Sequence, residues 1–184
     1  ENKTIELHQH SVDDRILIKG GQLKDWNIKF FGFINKEVSS AQRFNQNLLT
    51  GCLTLIDMSI DNINIEINQP SCEDGVNLMR VNGSVNNVVI NNALSDAIDV
   101  DFSKLSFKNI KVDSAGNDCV DLSSGSYRIQ NVDVTKCKDK AVSVGEKSEL
   151  FVNFAKVSKS TSGIVAKDSS VVKVNTMTAD DVTT

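Results

Sequence analysis

The chain has 184 residues, 40% of them hydrophobic, and a formal charge of −4 at pH 7; that suffices for one sizeable core, so a single domain over residues 1–184 is expected. The negative balance removes the basic field that phosphate recognition needs, which excludes nucleic acid. No apolar run approaches the roughly 20 residues of a spanning helix, so membrane insertion is not expected either.

The chain is rich in Asn, Ser, Val, Ile and Asp and holds a single proline, Pro70, so strands should dominate over amphipathic helix. Its start, Glu1-Asn2-Lys3-Thr4, is no secretory signal. The absence of an initial Met and the end in Asp181-Val182-Thr183-Thr184 read as those of a piece of a larger protein. His8-Gln9-His10 puts two imidazoles on one strand face, but a metal site needs further ligands. Trp26-Asn27-Ile28-Lys29-Phe30 resembles Asn64-Ile65-Glu66-Ile67, yet the two asparagines are 37 apart. One repeat therefore carries an insertion of about fifteen residues. Residues 33–49, with Lys36, Glu37, Arg43, Phe44 and Gln46, are the candidate: a flank for a binding surface or a packing loop. Cys52, Cys72, Cys119 and Cys137 lack the short paired spacings of a zinc site and are too few for a disulfide scaffold, so they are expected as buried thiols.

The repeat emerges downstream. Asn87, Asn109, Asn131, Asn153 and Asn175 recur every 22 residues, with Asn64 23 before Asn87. Val76, Ile98, Val120, Val142 and Ile164 share the period, each preceded by a small residue: Gly75, Ala97, Cys119, Ala141, Gly163. Alternation around each Asn implies short strands, three to a repeat. A 22-residue repeat of that kind predicts one coil of a parallel β-helix, whose strands pair with their counterparts one coil away at about 4.8 Å. The Leu-x-x-Leu-x-Leu frame of leucine-rich repeats is missing. Stacked Asn amides at a bend can bond one another, forming a structural ladder.

Parity then sorts the acids. If Val76, Ile98 and Val120 point inward, then Asn77, Asp99, Asp121 and Ser143 point outward. The next outward column holds Asp101, and the strand-entry column runs Asp74, Asp96, Asp118, Lys140. Carboxylates stacked near 5 Å repel by about 1 kcal/mol in water and more when desolvated. A cation, a neighbouring base or a raised pKa must offset that, unless full solvation tolerates it. A hard cation such as Ca²⁺ suits such oxygens, so Asp96, Asp99, Asp118 and Asp121 are candidate metal ligands. Beside it, Lys140 with a lowered pKa is the candidate base, aided by Asp118 and Asp121, on an acidic sugar's α-proton. Asp101, Ser143, Lys167 and Arg80 are candidate substrate-binding residues. Ser123 and Ser126 have no His partner, which argues against a serine hydrolase.

These residues resemble the right-handed parallel β-helix proteins of the pectate-lyase-like group. The Asn column is similar to their asparagine ladder, and Asp118-Cys119-Val120-Asp121 with Asp96, Asp99 and Lys140 is similar to the calcium and base arrangement of one lyase family. The resemblance implies a right-handed single-stranded all-β solenoid and metal-assisted β-elimination on an acidic polysaccharide, outside the cell or at its surface. This chain has Asn117-Asp118 where that family doubles the acid. Paired Asp residues also resemble polygalacturonase hydrolases, but the His-Gly and Arg-Ile-Lys segments are absent. Residues 139–148 look like a segment of uncharacterised bacterial β-helix proteins. A non-catalytic module, such as an adhesin, a tailspike or a scaffold for flanking domains or self-association, is the alternative.

Overall fold

The computed structural model describes residues 3–33 and 42–183. These form an all-parallel β-solenoid of about eight turns, with no helix among the described residues. In chain order the strands are β1 (Lys3–His8), β2 (Ile16–Lys19), β3 (Gln22–Lys24), β4 (Trp26–Phe31), β5 (Gly51–Asn68), β6 (Asp74–Ala93), β7 (Asp96–Asp101), β8 (Lys104–Ala115), β9 (Val120–Ser123), β10 (Ser126–Cys137), β11 (Lys140–Gly145), β12 (Glu149–Ser160), β13 (Ser162–Ala166) and β14 (Val171–Val182). The entry segments of β5 and β6 stack with β7, β9, β11 and β13 as a first sheet. The remainders stack with β8, β10, β12 and β14.

Inside runs one apolar column per inward position. Val76, Ile98, Val120 and Val142 are fully buried, as are Leu78, Val100, Leu122 and Val144. In the last coil Ile164 is only half-buried. The extra residues of the long coil lie between β4 and β5, since Ile16 pairs with Leu53 and Asn27 with Asn64 across the same 37-residue offset. Lys36 and Glu37 lie outside the described residues.

Corners are closed by left-handed residues, one column per corner. Asp57, Arg80, Phe102 and Ser124 form one, with φ of 50 to 55°, and Gln69, Asn92, Ser114, Lys136, Lys159 and Asp181 the other. Non-glycine residues pay roughly 1–2 kcal/mol for that conformation, and bonds between coils, such as Phe102 N–H to the Ser123 carbonyl at 3.0 Å, hold it. At Gly83, φ is 129° and an added Cβ would run into the Ile60 carbonyl oxygen, so only glycine fits there.

In the sixth coil the first corner takes two left-handed residues, Glu146 and Lys147, instead of one. Register changes there: Gly145 still faces Ser123, 22 residues back, but Glu149 faces Ser126, 23 back. The asparagine ladder runs Asn27–Asn64–Asn87–Asn109–Asn131 with amide bonds of 2.7 to 2.9 Å. It is then interrupted, because Asn131 faces Phe154. Asn153 and Asn175 bond each other at 3.0 Å one position earlier on their strands. The constant 22-residue period of the asparagines therefore overstates the ladder, which is half-buried from Asn27 to Asn109 and exposed at Asn131 rather than buried.

The cysteines are not thiols. Cys52 bonds Cys72 and Cys119 bonds Cys137, with Cα atoms 5.3 and 5.4 Å apart. Separations of 20 and 18 residues are just under one coil, so the winding of the chain brings each pair together across the interior; linear spacing alone carries no sign of this.

Candidate functional site: an acid-lined cleft on the first sheet

Parallel pairing places Thr54, Asn77, Asp99, Asp121 and Ser143 in one outward column. Asp101 lies one position on, between Met79 and Ser123. Asp99 therefore sits directly beside Asp121, as the repeat predicts. These side chains do not face open water. The described part of the inserted segment, from Arg43 to Thr50, closes over them and leaves a cleft of about 520 Å³ whose walls include Asp74, Asp96, Asp99, Asp101 and Asp121. Two Arg15 contacts tie this roof down: its guanidinium donates to the Gln42 carbonyl at 3.2 Å and to that of Val12 at 2.8 Å.

Cover explains how stacked carboxyls persist. Burial pushes the Asp99 carboxyl up to about 9, helped by the charges of Asp74, Asp101 and Asp121, so it holds its proton at neutral pH. Burial likewise lifts Asp74 to about 7 and Asp96 to about 6, and raises Asp101. Asn77, itself buried, donates to Asp99 at 2.7 Å and to Asp101 at 3.1 Å, and a side-chain hydrogen bond joins Asp99 to Asp101. Of the remedies weighed for charge repulsion, protonation is the one visible in this cluster.

The strand-entry column does something else. Asp96 accepts the backbone N–H of Asp118 at 2.7 Å, and Asp118 accepts that of Lys140 at 2.8 Å. Each carboxylate thus pins the start of the next coil, a structural use of half the proposed metal set. Lys140 Nζ lies 3.4 Å from Asp118 and bonds Asp139. Burial alone would lower the Lys140 pKa, but Asp139 and Asp118 outweigh it and the net shift is upward. The lowered value expected of a base is not found, because both neighbours that flank the amine are acids.

Asp96, Asp99, Asp101 and Asp121 come together in the cleft, whereas Asp118, Lys140, Ser143, Lys167 and Arg80 are not on its walls. Arg80 forms a forked ion pair with Asp57 at 2.6 and 3.1 Å, at the corner rather than over the sheet. Lys167 lies against Gly145. Sequence reasoning gave no role to Thr54, Glu73 or Glu146, which also line the cleft; their offsets of 22 or 23 from other wall residues were the signal that could have found them. Among the described residues no group of three or more His, Cys, Asp and Glu is arranged to hold a metal ion.

Among the described residues four side-chain oxygens are buried without any hydrogen-bond partner: Thr54 Oγ1, Asp74 Oδ2, Asp121 Oδ1 and Ser143 Oγ. All belong to the outward columns, and three of the residues are on the cleft walls. A buried polar group left unpaired costs about 1–3 kcal/mol, so the carboxyl oxygens of Asp74 and Asp121 have room for further hydrogen-bond donors, and the Thr54 and Ser143 hydroxyls can donate or accept. No family model, curated protein or solved structure matches the chain.

Proposed function

We propose that the chain is a carbohydrate-active β-solenoid that binds a polysaccharide in the acid-lined cleft and cleaves it with a carboxyl pair. The observation that carries this is the hydrogen-bonded Asp99–Asp101–Asn77 cluster beside Asp121, in a cleft whose walls leave polar oxygens of Thr54, Asp74 and Asp121 unpaired. Sugar hydroxyls are donors in a row, which is the chemistry those oxygens can take. Asp99, protonated near neutrality, donates its proton to the glycosidic oxygen as the C–O bond breaks. Asp121, one strand away at about 5 Å, attacks the anomeric carbon as that bond breaks, and a water that gives its proton to Asp99 then hydrolyses the glycosyl ester and frees Asp121. Two disulfides support an oxidising compartment, in keeping with a place outside the cell or on its surface.

Elimination at calcium is the second reading, favoured by the unpartnered Asp121 oxygen beside Asp99. Asp118 does not fit the ion, since the Lys140 ammonium already sits on it; the cation would have to rest on Asp99, Asp101 and Asp121.

The test is release of new reducing ends from neutral and uronic-acid polysaccharides by the full chain. Asp99→Asn should lower the rate by about 10²-fold or more, the usual weight of a general acid. Unsaturated, ultraviolet-absorbing products that need added Ca²⁺ and vanish in Lys140→Ala would replace hydrolysis by elimination. Binding without any product would leave the non-catalytic module, and neither binding nor product would sink the carbohydrate reading.

A further inference from the structure

The second sheet carries a groove of opposite sign. Its outward column runs Ser84, Ser106, Arg128, Phe151 and Lys173 on five successive coils. Two adjoining depressions of about 460 and 270 Å³ share Arg128 and Phe151, so they form one trough along the solenoid axis. Lys108, Arg128 and Lys173 line it against a single carboxylate, Glu149, a local charge of +2 on a chain whose total is −4. Among the described residues these three cations make no ion pair, whereas Lys24, Arg80, Lys136, Lys140 and Lys156 all do. The Arg128 guanidinium lies over the Phe151 ring, 5.9 Å from its centroid, and the ring remains 40% exposed.

The geometry points to this trough as a binding site for an extended anionic polysaccharide, one bearing carboxylate or sulfate groups. Coils rise by about 4.8 Å, so a ligand laid along the axis meets cations from three coils in turn. A guanidinium held against an aromatic face keeps its fork free for a bidentate oxyanion contact. The open part of the Phe151 ring suits the apolar face of a sugar, and the hydroxyls and amides of Ser84, Ser106, Asn86 and Gln130 suit its hydroxyls. The site stands apart from the cleft and does not rest on the reading of it.

The test is binding of the full chain to a fluorescent polyuronate oligosaccharide, with its carboxyl-reduced neutral analogue, a sulfated dextran and poly-glutamate as further arms. The expected result is binding to the polyuronate or the dextran sulfate, weakening as salt rises. Arg128→Gln should lower affinity about tenfold, as loss of a charged hydrogen-bonding partner does, and Lys173→Gln by less. Both side chains are exposed, and a melting curve checks that each variant folds. Preference between the two anionic polymers assigns carboxylate or sulfate. Equal binding of the neutral analogue, full affinity in Arg128→Gln, or loss of affinity in Asp99→Asn instead would overturn the proposal. Tighter binding of poly-glutamate would also overturn it, in favour of an acidic protein.

Discussion

The two outer faces are built from the same coils under the same parity rule, yet they hold their charges in opposite ways. On the first sheet a roof from the inserted segment covers the outward column, and its carboxyls answer by keeping protons. On the second sheet nothing among the described residues covers Arg128, Lys173 or Lys108, and the cations stay solvated and unpaired. Period and parity determine which way a side chain points; whether it meets water depends on a loop that the repeat does not contain. Titration and recognition follow from that cover.

Breaking the coils should abolish the contrast with the largest effect. Each disulfide closes a loop of about twenty residues within one turn, worth about 3 kcal/mol in the chain-entropy account. Reduction of both should lower unfolding free energy by several kcal/mol in a urea titration, and both faces should lose binding together. An unchanged midpoint under reductant would mean that packing alone holds the turns.

A change of pH should separate the faces. Asp74, Asp96 and Asp99 have folded values of about 7, 6 and 9, all above the ordinary aspartate value of 3.8. The folded chain therefore binds more protons than the unfolded one. Their contribution is fully present below about pH 3.8 and is lost as pH rises through 6, 7 and 9 in turn. The unfolding free energy at pH 5 should exceed that at pH 8 by several kcal/mol, in order of magnitude. Asp99→Asn should flatten that slope, and Arg128→Gln should leave it as it was. A slope untouched by Asp99→Asn would place the buried proton on another residue.

How much of this was legible is clearest at two asparagines. Asn109 and Asn153 belong to the same 22-residue series, and period alone makes them equivalent. The fold places Asn109 between Asn87 and Asn131, with amide bonds on both sides, while Asn153 has shifted to the neighbouring column. The one-residue lengthening at Glu146–Lys147 is a turn choice, and turn residues carry weaker sequence signals than buried strands. The strands, their parity and the Asp99–Asp121 adjacency were readable because inward positions tolerate only apolar side chains. The disulfides, the roof over the cleft and the upward shift at Lys140 were not, because each depends on contacts between segments with no common period. Asn109→Ala should cost about 1–2 kcal/mol, from one half-buried and one exposed amide bond, and Asn153→Ala about half of that, by chemical denaturation. Equal losses would restore an unbroken ladder.

The smallest expected effect concerns Arg80, which belongs to neither face. Its guanidinium is bidentate to Asp57, but the two side chains are 48% and 39% exposed, and a pair that open to water is screened and contributes little. Against that stands its own backbone, held at φ 51°, where glycine would remove a cost of about 1 kcal/mol. Arg80→Gly should therefore leave the denaturation midpoint close to the starting value, since the two changes oppose each other. Glycan cleavage and groove binding should be unaffected. A clear loss of cleavage with stability intact would return Arg80 to the substrate-binding role that its sequence position suggested, reaching the cleft from the corner once its bond to Asp57 is released.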